Sequence, residues 1–165
     1  MKKLIALVLI FAFLLCLIGC KQTVKNEVSG AESELQKETM PQADPSEWGL
    51  TLEAENVTAT GLTILCQHAG GENVAELNTG SYYVIQKSEE TGWVDVEYLL
   101  QEYDVCWTAE AWIIQQEGTT QWDVNWEGLY GELPAGKYRI GKEIINFRYA
   151  GNYDIGVLYA EFRIQ

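Results

Sequence analysis

From Trp48 onward the chain is a series of short alternating runs broken by glycine turns, and that spacing restricts it to strands. Leu50, Leu52 and Ala54 share one face, with Thr51, Glu53 and Glu55 on the other. Leu62, Ile64 and Cys66 repeat the pattern after Thr60-Gly61. Tyr82 to Gln86 follows Thr79-Gly80, and Thr91-Gly92 marks a hairpin turn into Trp93 to Tyr98. Trp112 to Ile114 forms another short strand. Glu117-Gly118 then turns into Thr120 to Trp126, where Trp122, Val124 and Trp126 share a face. Tyr138 to Phe147 is longer, and its phase slips near Gly141, which predicts a bulge there. Leu158, Ala160, Phe162 and Ile164 line the last strand. Only Leu99 to Tyr103 and Glu127 to Tyr130 leave room for a helical turn. The expectation is an all-β domain, an antiparallel β-sandwich of 7–9 strands, with a closed barrel as the alternative. All six Trp and all nine Tyr lie in these 118 residues, enough to build a core.

The front of the chain has a different composition. Residues 21–46 hold no aromatic residue and little large apolar content, so they cannot offset their ordering entropy and are expected to form a disordered linker. Before them, Lys2-Lys3 and the apolar run Leu4 to Ile18 have the layout of a secretory signal. That run is short of the roughly 20 residues a comfortable transmembrane helix needs. Leu17-Ile18-Gly19-Cys20 resembles the lipobox of bacterial lipoproteins. The resemblance implies cleavage before Cys20 and lipidation of its thiol, holding the protein at the outer side of the cell membrane. The expected organisation is a signal peptide over 1–19, lipidated Cys20 and a flexible linker over 20–46, and one folded domain over 47–165.

Loss of residues 1–19 removes two lysines and no acid, and takes the net charge from −13 to −15. From Trp48 on, 18 acids face six bases: Lys87, Lys137, Arg139, Lys142, Arg148 and Arg163. Such a surface disfavours nucleic acid, whose phosphates select Lys and Arg. It suits either a cationic partner or a mutually repelling, soluble surface.

Trp48-Gly49-Leu50-Thr51-Leu52 and Thr58 to Thr63 resemble the opening of bacterial immunoglobulin-like domains. The longer string from Leu129 to Lys142, with Leu133-Pro134-Ala135-Gly136-Lys137-Tyr138 at its centre, is similar to the same family, as are Phe147-Arg148 and Tyr159 to Phe162. The resemblance covers 47–165 and implies an immunoglobulin-like sandwich. It also implies a tyrosine corner, in which the Tyr138 hydroxyl returns to an upstream backbone group. The antibody-type disulfide is not expected, because the strand beginning at Tyr138 carries no Cys.

Cys66 and Cys106 are candidates for a different disulfide, with two thiols that pack as small apolar groups as the alternative. A catalytic triad has little to draw on, since His68 is the one histidine and Ser81 and Ser88 are the only serines of the domain outside residues 1–47. No Cys or His spacing supplies zinc. Asp95, Glu97, Glu102 and Asp104 are near in sequence, yet no EF-type calcium loop is present. No enzyme, metal or cofactor is expected. The surplus of aromatics (Trp93, Trp107, Trp112, Trp122, Trp126, Tyr82, Tyr83, Tyr98, Tyr103) either fills sheet faces or forms a sugar-stacking platform. The leading expectation is a noncatalytic module presented for binding or adhesion to a protein or surface. A carbohydrate- or peptidoglycan-binding module using exposed Trp and Tyr is the second reading, and a small envelope enzyme the third.

Overall fold

The computed structural model of the chain describes residues 42–99 and 105–165. The signal segment, Cys20, the linker up to residue 41, the helical turn expected after Leu99, and Glu102, Tyr103 and Asp104 lie outside the described residues.

Among the described residues eight strands form two antiparallel sheets. The smaller contains β1 (Leu50–Glu55), β2 (Gly61–His68) and β6 (Gly118–Asn125), in the order β1-β2-β6. The larger runs β4-β3-β7-β8, from β3 (Glu76–Glu89), β4 (Gly92–Asp95), β7 (Gly136–Tyr149) and β8 (Asn152–Ile164). The two-residue β5 (Trp112–Ile113) pairs with Asn78 and Thr79 of β3. One helical turn, α1 (Glu127–Tyr130), follows β6 at a site where the sequence leaves room for it.

The two inner faces meet in one core. Leu50 and Leu52 of β1 and Leu62, Ile64 and Cys66 of β2 face Ile85 of β3, Tyr138, Ile140 and Ile144 of β7, and Ala160, Phe162 and Ile164 of β8. Each fully buried large aliphatic side chain contributes about 1.5–3 kcal/mol by leaving water. Trp126 is 0% exposed, donates its indole N–H to the Ala59 carbonyl at 2.9 Å and packs on Phe162. The Tyr138 hydroxyl donates to the Pro134 carbonyl at 2.9 Å, four residues upstream, and its ring stacks on Phe162.

The predicted bulge at Gly141 is on the wrong strand. The β7–β8 ladder runs without a break through Gly141, from Gly136 to Phe147. The irregularity lies on the facing strand β3, between Thr79 and Tyr83, where Gly80, Ser81 and Tyr82 oppose Glu143 alone. Side chains on β7 keep strict alternation, so Tyr138, Ile140, Lys142, Ile144 and Asn146 are all buried. A lysine in the middle of that series made a regular strand look out of phase.

The linker also ends earlier than expected. Gln42 bridges Ile155 of β8 in parallel, and the Ala43 N–H donates to the Ile155 carbonyl at 2.9 Å. Asp44 caps a 3-10 turn over Pro45–Trp48 by accepting from the Ser46 N–H, and Pro45 and Trp48 are buried. Residues 42–46 are therefore part of the packed domain.

The structure shows no bridge between the candidate pair Cys66 and Cys106, and matches the alternative of two separate thiols. Cys66 is buried on the inner face of β2, Cys106 is exposed in the segment before β5, and both are free thiols. Burial pushes the Cys66 thiol up to about 11.

Candidate functional site

The outer face of the larger sheet gathers three of the domain's few cations. Lys137 and Arg139 of β7 and Arg163 of β8 point away from the core, with Lys137 directly across from Arg163. Arg139 is held by neighbours on three other strands. Its guanidinium lies 4.7 Å from the Trp93 ring of β4 and 4.0 Å from the Tyr159 ring of β8. Its Nε–H donates to Gln86 Oε1 of β3 at 2.6 Å, and the Gln86 amide donates to Asp95 Oδ1 of β4 at 2.6 Å. Stacking of this kind is worth about 0.5–1 kcal/mol per ring at a surface, and more importantly it fixes the plane of the guanidinium.

The strand register explains why these residues meet. Gln86, Arg139 and Glu161 are aligned across β3, β7 and β8, and Asp95 continues the row on β4. Tyr159 sits across from Gly141, and its ring lies on the bare backbone there: a Cβ at Gly141 would come within 2.7 Å of the ring. Lys137 bridges Glu161 at 2.6 Å and lies 5.3 Å from the Trp93 ring. Sequence periodicity placed these residues on strands. It could not show that four strands bring them into one row.

A second polar arrangement lies inside. Lys142 is 1% exposed, and its amine donates to the carbonyls of Gly80 at 2.5 Å and Tyr82 at 2.8 Å, on the stretch of β3 where the ladder to β7 is interrupted. The Trp112 and Trp122 rings lie 5.4 and 5.9 Å from that amine. Burial pulls its pKa down to about 8, against a smaller opposing pull from Glu143. With two of its three donors on backbone carbonyls, this lysine is a structural plug for the bulge.

His68 is buried at the end of β2, where its Nδ1 accepts from the Glu117 N–H at 2.8 Å. No serine accompanies it in a hydrogen bond among the described residues. Among the described residues no group of three or more His, Cys, Asp or Glu side chains is arranged to hold a metal ion. An open cleft of about 750 Å³ lies where the chain enters the domain, lined by Glu47, Trp48, Glu72, Asn73, Arg148 and Asp154. Arg148 there is paired with Asp154.

The tryptophans take several roles. Trp48 and Trp126 are core residues, Trp93, Trp107 and Trp122 are half-buried, and Trp112 is exposed. Their contacts are edge-on or tilted: Trp107 meets Tyr82 at 82° and Tyr83 at 72°, and Trp112 meets Trp122 at 40°. None of these pairs makes the coplanar row a sugar-stacking platform needs. The aromatic surface with a clear chemical partner is the one around Arg139.

Strands β1-β2-β6 and β3-β7-β8 follow the A-B-E and C-F-G order of an immunoglobulin sandwich. Tyr138 stands at the start of the F-like strand, and Ile140, two residues on, occupies the place of the second antibody cysteine. Cys66 on the B-like strand thus has no partner across the core. No curated protein matches the chain. A profile of the family described as Bacterial Ig-like domain, whose members are generally noncatalytic, matches residues 44–162, and the chain belongs to that family.

Proposed function

We propose that this protein is a lipid-anchored extracytoplasmic module that binds its partner through the outer face of the larger sheet. The observation that carries the reading is the Trp93–Arg139–Tyr159 stack, an ordered cationic and aromatic surface on a domain with three times as many acids as bases. An Ig-like domain supports a binding or adhesion role of this kind, while fold alone names no partner.

The anchor rests on sequence. Lys2-Lys3, the apolar run to Ile18 and Leu17-Ile18-Gly19-Cys20 support export, cleavage before Cys20 and acylation of its thiol. Two or more acyl chains give stable attachment. No helix of the described residues is long and apolar enough to cross a membrane. Residues 21–41 serve as the tether in this reading. The chain enters the domain beside Ile155, six residues along β8 from Glu161. At a strand rise of about 3.3 Å per residue, the Arg139 row lies roughly 20 Å from that entry point.

Mass spectrometry of the membrane fraction tests the anchor: acyl chains on Cys20 are expected, and Cys20→Ala is expected to leave an unprocessed precursor. Retention on envelope fragments tests the surface. Arg139→Ala is expected to reduce it, and unchanged retention would remove the outer face from the account.

The second reading, a glycan-binding module, draws on the same stack, because Tyr159 is 37% exposed beside a fixed guanidinium. Saccharides present both C–H faces and polar groups to such a surface.

A further inference from the structure

Resting on the reading that the outer face of the larger sheet is the binding surface, we propose that its ligand is a carboxylate-bearing polysaccharide gripped by the open edge of Arg139. The Trp93 and Tyr159 rings both lie against the guanidinium, and Nε is committed to Gln86. The two terminal nitrogens have no hydrogen-bond partner among the described residues. Among the described residues no carboxylate pairs with them. A planar guanidinium held in this way offers two parallel N–H donors, the geometry that a carboxylate accepts as a pair.

The surroundings select the kind of anion. Lys137 is already balanced by Glu161 and Asp95 stands in the same row, so Arg139 and Arg163 leave only a small local excess of positive charge. The remainder of the domain is strongly acidic and repels a dense polyanion. A polymer with one carboxylate per sugar, or fewer, meets the fixed guanidinium without crowding charge against Asp95 and Glu161. An acidic peptide added as a strand fits less well. The edge strand β4 carries Asp95, and Glu89 and Glu90 stand at the hairpin turn that joins it to β3, so an added acidic strand meets like charge. Beside Arg139 the sheet face is partly apolar, with Val84 and the ring of Tyr159 packed over Gly141. A pyranose ring can lie on that surface while its carboxylate reaches the guanidinium edge.

The test uses the full chain in detergent micelles, with three probes: polygalacturonate, its methyl-esterified form and polyphosphate. Polygalacturonate is expected to bind, and esterification to abolish binding. Arg139→Ala and Arg139→Lys should each weaken it by about tenfold or more, since lysine keeps the charge and loses the paired donors. Arg148→Ala, at the chain-entry cleft, should leave it unchanged. Circular dichroism melting of the Arg139 variants checks that they fold, and the lysine variant keeps the test valid if the alanine variant does not. Binding that survives esterification or either Arg139 substitution overturns the proposal. So does Arg139-dependent binding of polyphosphate in preference to polygalacturonate. If envelope fragments are retained through Arg139 while polygalacturonate is not, the surface stands and the acidic glycan falls. If neither depends on Arg139, both readings fall.

Discussion

The Lys142 amine donates to the Tyr82 carbonyl at 2.8 Å, joining the middle of β7 to the bulge on the strand beside it. The same amine takes the Gly80 carbonyl, so a single buried cation satisfies two acceptors along the interrupted ladder. An ionised amine is costly to bury, and its position is sustained by these two bonds and the flanking Trp112 and Trp122 rings.

Lys142→Met is expected to destabilise the domain by about 2–4 kcal/mol, because it keeps most of the side-chain volume and leaves two buried carbonyls unpaired. The shift in urea midpoint measures this. An unchanged midpoint would mean that water reaches the bulge as well as the amine does.

The same lysine sets a pH dependence. Its pKa falls from 10.5 to about 8 on folding, so the unfolded chain holds more protons between those values. Stability should therefore rise with pH across that window, by up to about 3 kcal/mol, and be flat in this respect below pH 8. Tyr83 works the other way. Burial raises it from 10.0 to about 12, so its contribution is lost as pH climbs above 10. Buried Cys66, raised from 9.0 to about 11, also opposes the lysine from pH 9, so urea titrations at several pH values should show a rise from pH 8, levelling near pH 9 and falling above pH 10. In Lys142→Met the rise should vanish while the fall above pH 10 remains.

Tyr138→Phe removes one hydroxyl from a residue that is almost fully buried and leaves the Pro134 carbonyl without its donor. The expected loss is about 1–2 kcal/mol, read from the same denaturation curves. No change would show that the corner hydrogen bond is replaceable by solvent.

Gly156→Ala tests the seating of the chain-entry segment. A Cβ at Gly156 would run into the Ala43 carbonyl and the Pro45 ring. Residues 42–45 should lift from β8, and the Ala43 amide, bonded to the Ile155 carbonyl in the native chain, should lose its protection from hydrogen exchange. Protection equal to that of the native chain would mean that the segment shifts without detaching.

The two domain thiols should differ in reactivity. Iodoacetamide at pH 8 is expected to modify exposed Cys106, while Cys66, buried and raised to about 11, reacts only after denaturation. Peptide mapping of the alkylated protein distinguishes them. A native chain in which neither reacts, and a disulfide-linked peptide appears, would show that the two are joined.

Much of the fold was legible because strand periodicity is local. Leu50 and Leu52, Leu62 to Cys66, and Ala160 to Ile164 declare their buried face within a few residues, and the Glu127–Tyr130 turn and the hairpin at Thr91-Gly92 are readable the same way. The string around Tyr138 was specific enough to suggest the family. Lys142 misled because alternation is judged by polarity, and a lysine on an inner face contradicts its own strand. Its reason for being there, the bulge at Gly80 to Tyr82, lies some sixty residues away.

The order of residues alone determined an all-β sandwich, its inner-face side chains and the absence of an antibody-type disulfide, since each depends on spacing along one stretch of chain or on which residues exist at all. Tertiary structure decided what meets across strands. It set Arg139 between Trp93 and Tyr159, placed Lys142 under a bulge and separated Cys66 from Cys106. Pairing register is a property of two or more segments together, and it emerges only when their buried faces pack against a common core.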